Sequence, residues 1–358
     1  MIGVVPPETV PNAGCHGCRI ATTLSDIATR APPTGFDRTG GPSLSWMSQP
    51  SPSTPDRPAP TSRWSGSLTY GITPPKMSWD RDRIAGVAER QSARIRDLPI
   101  DGLVVYDLQD ESARTDVPRP FPFEECLDPV TYAYDHLSVD VPRIVYRCVA
   151  RLDEPSLGGS LRRLRDEGGA VVLVGAASRT QEVALTLPQA YAFRQRETPD
   201  LATGGVLIAE RHRRRLSEHE RVLRKVEQGC SFFVSQAVYS AEDTKNVLSD
   251  LYYRCEELGE PVPPVMVTLT PCGSERTLTF LRWLGIEVPR WLENELLRAE
   301  DTLSTSVELC VDVFTDLYGF AQDHGFALGC NVESVSLRRD EIDASVELVN
   351  RVARVMGR

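Results

Sequence analysis

The chain is predicted to fold as a single (β/α)8 barrel. Two observations lead there: short β-branched runs alternate with helical patterns from Ser65 onward, and eight such runs can be counted. Eight strand-helix units in about 295 residues suit a closed barrel better than a doubly wound sheet, which usually stops at five or six strands. The strands are expected at Ser67–Ile72, Gly102–Asp107, Ile144–Ala150, Ala170–Gly175, Gly204–Glu210, Ser231–Tyr239, Pro264–Thr270 and Phe326–Val335. Helical periodicity is clearest over Arg81–Arg96, Ser217–Glu227, Ala241–Leu258, Leu278–Leu284, a long stretch from Trp291 to His324, and Asp340–Met356. Within the long stretch, Val307–Phe320 carries its apolar residues on one face, which should lie against the barrel.

Residues 1–62 form a different regime, rich in Pro, Ser, Thr and Gly with almost no periodicity, and are expected to be a disordered tail ahead of a barrel over 63–358. Cys15-His16-Gly17-Cys18 has a metal-ligand look, but no second pair stands at a suitable spacing, so no metal is predicted. Met47 is a more credible internal start than Met77, which would remove the first strand.

Composition sets limits on partners. The 358 residues are 41% hydrophobic and 25% charged with a net charge of -10, which argues against nucleic acid or an anionic membrane as the main partner. No apolar run approaches the roughly 18 residues of a membrane span, and no signal pattern opens the chain. The nine cysteines follow no disulfide framework, and several sit in apolar segments, so a reduced, cytoplasmic protein is expected. The basic run Arg211-His212-Arg213-Arg214-Arg215 reads as a loop between strand and helix, either solvated or facing a phosphate-bearing ligand. Trp283 and Trp291 would serve a homo-oligomer contact or pack within the chain.

The candidate site residues stand at strand ends. Gln236 interrupts the apolar run of the sixth strand near its carboxyl end, where a barrel presents side chains to ligands; the alternative is an amide capping the next loop. The second strand ends in Tyr106-Asp107-Leu108-Gln109-Asp110-Glu111, three carboxylates at the mouth, and strand periodicity puts Glu333 on the same face as Asn331. Asp107, Asp110, Glu111 and Glu333 are therefore candidate acids, since a general acid benefits from burial or a neighbouring like charge. Tyr106 and Arg147 are placed at the same mouth as substrate contacts, Arg147 holding a phosphate or carboxylate or pairing with one of these acids.

Four segments, in order, resemble the methylenetetrahydrofolate reductase family, over about residues 65–350. They are Ser67-Leu68-Thr69-Tyr70-Gly71-Ile72-Thr73-Pro74-Pro75-Lys76, Gly205-Val206-Leu207-Ile208-Ala209-Glu210-Arg211-His212 with Ala209 in place of a proline, Lys225 through Tyr239, and Gly285-Ile286-Glu287-Val288-Pro289-Arg290-Trp291-Leu292. The resemblance implies a (β/α)8 barrel that reduces 5,10-methylenetetrahydrofolate to 5-methyltetrahydrofolate. Hydride would come from NADH or NADPH, through FAD or, as in flavin-free relatives, directly. It further implies that Gln236 contacts the pterin and that His212, Glu218 and Lys225 stand where flavin-dependent members hold FAD.

Departures are equally informative. The family's catalytic glutamate on the first strand, which protonates the substrate so that its five-membered ring opens to an iminium, is matched by Gly71. Val174-Gly175-Ala176 replaces an Arg-Gly-Asp near the flavin, and Asn331-Val332-Glu333-Ser334-Val335-Ser336 replaces the eighth strand's pattern. The alternatives are a folate-binding barrel that no longer reduces, serving as sensor or partner subunit, and a barrel repurposed for another substrate.

Overall fold

The computed structural model describes residues 63–178 and 181–358. The predicted tail and the Cys15-His16-Gly17-Cys18 motif lie outside these residues. Eight parallel strands close into a barrel in sequence order: β1 Leu68–Ile72, β2 Gly102–Val105, β3 Arg143–Cys148, β4 Ala170–Val174, β5 Ala202–Leu207, β6 Phe232–Ala237, β7 Val265–Leu269 and β8 Leu328–Glu333. Around it run α1 Arg81–Arg96, the single turn α2 Pro129–Thr131, α3 Glu154–Asp166, α4 Leu187–Glu197, α5 Ala209–Arg215, α6 Glu218–Glu227, α7 Ala241–Leu258, α8 Glu275–Trp283, α9 Arg290–Arg298, α10 Thr302–Asp323 and α11 Arg339–Val355. This is the (β/α)8 barrel expected from the sequence.

Helix bounds follow their caps. Asp80 accepts from Arg83 N at the start of α1, which buries Ile84, Ala88 and Ile95 at helical spacing. The stretch expected as one long helix from Trp291 breaks in two, because Asp301 turns its carboxylate onto Leu303 N and Ser304 N and starts α10 afresh. Val307, Cys310, Phe314, Leu317 and Ala321 then form the buried face of α10, against β7 and β8. The basic run is not a loop: Ala209–Arg215 is helical, with Glu210 in its first turn and His212, Arg213, Arg214 and Arg215 in its last, the charge order a helix dipole favours. Strand β5 accordingly ends at Leu207, three residues earlier than expected.

Two of the three apolar clusters among the described residues build the barrel itself. One lies between strands and helices; the other fills the interior with Trp64, Val104, Ile144, Tyr146, Val172, Phe232, Val234 and Met266. Trp64 and Phe232 close the amino-terminal end of the barrel, their ring centroids 5.7 Å apart. Gly102 and Gly204 make this plug fit, since a Cβ at Gly102 would stand 2.5 Å from the Trp64 ring and one at Gly204 2.5 Å from the Phe232 ring. The interior is thus apolar below and open to polar chemistry only at the carboxyl ends of the strands.

Among the described residues the cysteines are free thiols, and no helix is long and apolar enough to cross a membrane. Trp283 is buried and donates to Val117 O, whereas Trp291 is exposed.

Candidate functional site

The mouth of the barrel divides into a corner of hydroxyls and one carboxyl over β8, β1 and β2, and a corner of ion pairs over β2 and β3. In the first, period-two alternation turns Thr69, Tyr106, Thr268, Asn331 and Glu333 inward. Asn331 is fully buried and uses all its amide atoms: Oδ1 accepts from Thr69 Oγ1 at 2.9 Å, and Nδ2 donates to Tyr106 Oη at 2.8 Å and Thr268 Oγ1 at 3.3 Å. A buried amide satisfied in this way fixes the rings and hydroxyls around it. The Tyr106 ring in turn packs on Tyr146, centroids 4.8 Å apart.

Gly71 explains itself here. It pairs in register with Glu333 across the β1–β8 ladder. A Cβ at Gly71 would stand 2.8 Å from Tyr106 Cε2 and 3.1 Å from Glu333 Cβ. The space that a first-strand acid would need is occupied by the Tyr106 ring, and a carboxyl instead projects from the adjacent position on β8. Burial pushes the Glu333 carboxyl up to about 7, while the neighbouring Tyr106 hydroxyl favours its charged form. Burial and the Glu333 charge together hold Tyr106 well above the usual phenol range. Glu333 therefore exchanges its proton near neutrality, which suits a general acid.

The second corner is neutralised internally. Asp107 Oδ2 accepts from Cys148 N at 2.8 Å, and its carboxylate lies 3.8 Å from Arg147 Nη1 and 3.2 Å from Arg151 Nη2. Burial raises its pKa, opposed by Arg147, the Cys148 amide and Arg151. Arg147, itself buried, donates to Asp128 Oδ2 at 2.6 Å, an acid outside the cluster read from the sequence. Asp110 is exposed and caps Ser112 N at 2.9 Å; the Ser112 hydroxyl and amide hold its pKa low. Glu111 is half-buried, just ahead of the 3-10 turn Ser112–Arg114. The acid cluster read from the sequence is therefore split, and only Glu333 joins the inward network.

The segment between β2 and α2 forms a strap along this rim. It pairs with the chain after β1 through Met77 N to Glu125 O and Leu127 N to Pro75 O, at 2.8 and 2.9 Å. Farther out it reaches α8, where Trp283 Nε1 donates to Val117 O and Arg276 Nη2 to Pro120 O, each at 2.8 Å, and Phe121 meets Phe280 edge-on. The strap thus links the chain after β1 to α8, which follows β7.

The remaining predicted residues lie on the other side. Gln236 sits where the β6–β7 register shifts, between Val234 and Ala237, and its Nε2 donates to Leu284 O at 3.1 Å in the connection after α8. Lys225 Nζ donates to Val206 O at 2.6 Å, and burial lowers its pKa to about 8. Glu218 is fully buried and accepts from Ile208 N at 3.2 Å. His212 is buried against Asp250 of α7. These three side chains turn toward protein groups. Thr69, Thr268 and Tyr146 are mouth residues that the sequence reading passed over, although their inward alternation was a usable signal.

No family model matches the chain, and no curated protein matches it. Among solved structures, the chain is similar to an uncharacterized protein from Clostridium thermocellum described as binding two copies of 5-methyl-5,6,7,8-tetrahydrofolic acid, with 42% identity, 82% of this chain and 97% of that one covered, and a TM-score of 0.72. Weaker likenesses include a Xanthomonas albilineans dihydropteroate synthase, at 15% identity over 82% of this chain and 94% of the other with a TM-score of 0.39, and an endo-1,4-beta-xylanase from Caldicellulosiruptor owensensis, at 11% over 76% and 86% with 0.45. The last two are too distant to bear on function.

Proposed function

Because the chain belongs to the family of the Clostridium thermocellum barrel protein, we propose that it binds a reduced folate in the carboxyl-terminal mouth and reduces 5,10-methylenetetrahydrofolate there to the 5-methyl form. The observation that carries the reductive step is the Glu333 carboxyl, standing beside Gly71 with its pKa near 7. Its proton opens the five-membered ring to the iminium, leaving Glu333 ionised with the Tyr106 hydroxyl beside it. Asn331, Thr69 and Thr268 hold Tyr106 in position for that exchange.

Reduced nicotinamide supplies the hydride directly in this reading. The support is that His212, Glu218 and Lys225 face protein groups, so no residue is assigned here to a flavin. Gln236 is placed by the resemblance at the pterin, for which its amide would exchange the Leu284 carbonyl for the ring edge. A second reading, binding without reduction, is favoured by the tetrahydrofolate described for the Clostridium protein, which already carries its methyl group.

Titration of the purified protein with methylenetetrahydrofolate and NADH, followed by its absorbance spectrum, separates these. Colourless protein that oxidises NADH only with the folate supports direct reduction. Tight binding of 5-methyltetrahydrofolate with no NADH oxidation establishes the second reading, and failure to bind any reduced folate rejects both.

A further inference from the structure

Outside the mouth, one cluster has unmet coordination chemistry. The chain reverses between α5 and α6 through Leu216, whose φ of 47° is left-handed, and this brings His219 of α6 back beside His212 of α5. Asp250 of α7 completes the group. His212 is 1% exposed; its Nε2 lies 3.1 Å from Asp250 Oδ2, and its Nδ1 has no hydrogen-bond partner among the described residues. His219 Nδ1 lies 4.0 Å from the same oxygen and is likewise buried without a hydrogen-bond partner. All three ligand atoms fall within 4.8 Å of one another.

A simple His-Asp contact leaves this arrangement unexplained, because orphaned buried nitrogens are rare in native proteins and an absent ion is among their usual causes. Ligands about 2.1 Å from a tetrahedral zinc are roughly 3.4 Å apart, and here the two His–Asp separations are 3.1 and 4.0 Å with every pair within 4.8 Å, so side-chain rotation would bring the three ligand atoms onto one ion. We propose that His212, His219 and Asp250 bind a divalent transition metal of the zinc type at the junction of α5, α6 and α7. Two imidazoles and one carboxylate suit that class of ion better than calcium or magnesium, which prefer all-oxygen shells. Asp250 is half-exposed, leaving a side open for water as fourth ligand. The nearby cation Arg254 is engaged with Glu220 and Glu257, and Glu220 also lies 3.6 Å from His219 Nε2. The ion would clamp three outer helices, and the proposal stands apart from the folate reading of the mouth.

The test uses the full chain carrying Cys15→Ser and Cys18→Ser, so that the amino-terminal thiols do not contribute. Stripped protein is dialysed against Zn2+ or Co2+, and metal content and the cobalt spectrum are measured. The expected result is about one ion per chain, cobalt bands without thiolate charge transfer, and a higher Tm with metal. His219→Ala and Asp250→Asn, at partly accessible positions that tolerate change, should each weaken uptake by at least about 100-fold, the upper end of what loss of a mere supporting partner costs. No uptake by the unsubstituted cluster, or uptake indifferent to both substitutions, overturns the proposal.

Discussion

Two corners of one barrel mouth carry the same functional group with opposite consequences. Over β2 and β3, Asp107 and Asp128 share Arg147, with Arg151 and a backbone amide completing the set. Over β8 and β1, Glu333 has hydroxyls and aromatic rings around it, and its pKa rises to about 7. A carboxylate given a cation becomes a structural brace, whereas one given only a phenol keeps a proton that can be moved. Burial raises both Asp107 and Glu333; what differs is that Asp107 is held by cations and a backbone amide whereas Glu333 is not.

The largest break in this comparison should come from Glu333→Gln. Turnover is expected to fall roughly 100- to 10,000-fold, the usual range for a lost general acid, while 5-methyltetrahydrofolate binding persists in calorimetric titration. Arg147→Ala acts on the other corner: it removes the cation that pairs with Asp128 and leaves Asp107 with Arg151 alone, costing roughly 1–3 kcal/mol of stability in denaturant melts. Gly71→Ala pushes a methyl into the Tyr106 ring and should cost about 1–3 kcal/mol. For the same reason Gly71→Glu, which restores the family's first-strand acid, should lose stability without gaining turnover.

A smaller effect has a definite sign. The folded pKa of Glu333 lies above its ordinary 4.5, so its ionisation opposes folding increasingly as pH rises from about 4.5 to about 7. Glu333→Gln should therefore stabilise the protein above pH 7 by on the order of 1–2 kcal/mol after allowing for solvent screening, with no gain at pH 4. At the exposed end of the acidic segment, Asp110→Asn should change stability by no more than about 0.5 kcal/mol and leave turnover alone.

The barrel was legible because its strands are runs of β-branched residues and its helices carry capping residues. Residues 81–96 could be bounded from Asp80 and the spacing of Ile84, Ala88 and Ile95 alone. The basic run after β5 was misread because repeated arginines look like a solvated loop, and only the dipole argument makes them a helix end. At the site, the inward direction of Glu333 followed from alternation along β8. That Tyr106 fills the room beside Gly71 depends on the register of β1 with both neighbours, which no local pattern encodes. That Arg147 could pair with one of the acids was readable from its place at a strand end, but the share taken by Arg151 and Asp128 was not, because it depends on how separate loops meet.

The account rests on a proton held at Glu333. Carbon-13 NMR of glutamate-labelled protein, with Glu333→Gln used to assign the resonance, would follow that carboxyl directly through pH. A midpoint near 7 is the result expected from its surroundings in the mouth. A midpoint between about 4 and 5, the range of an ordinary glutamate, would contradict it and leave Glu333 an unremarkable carboxylate.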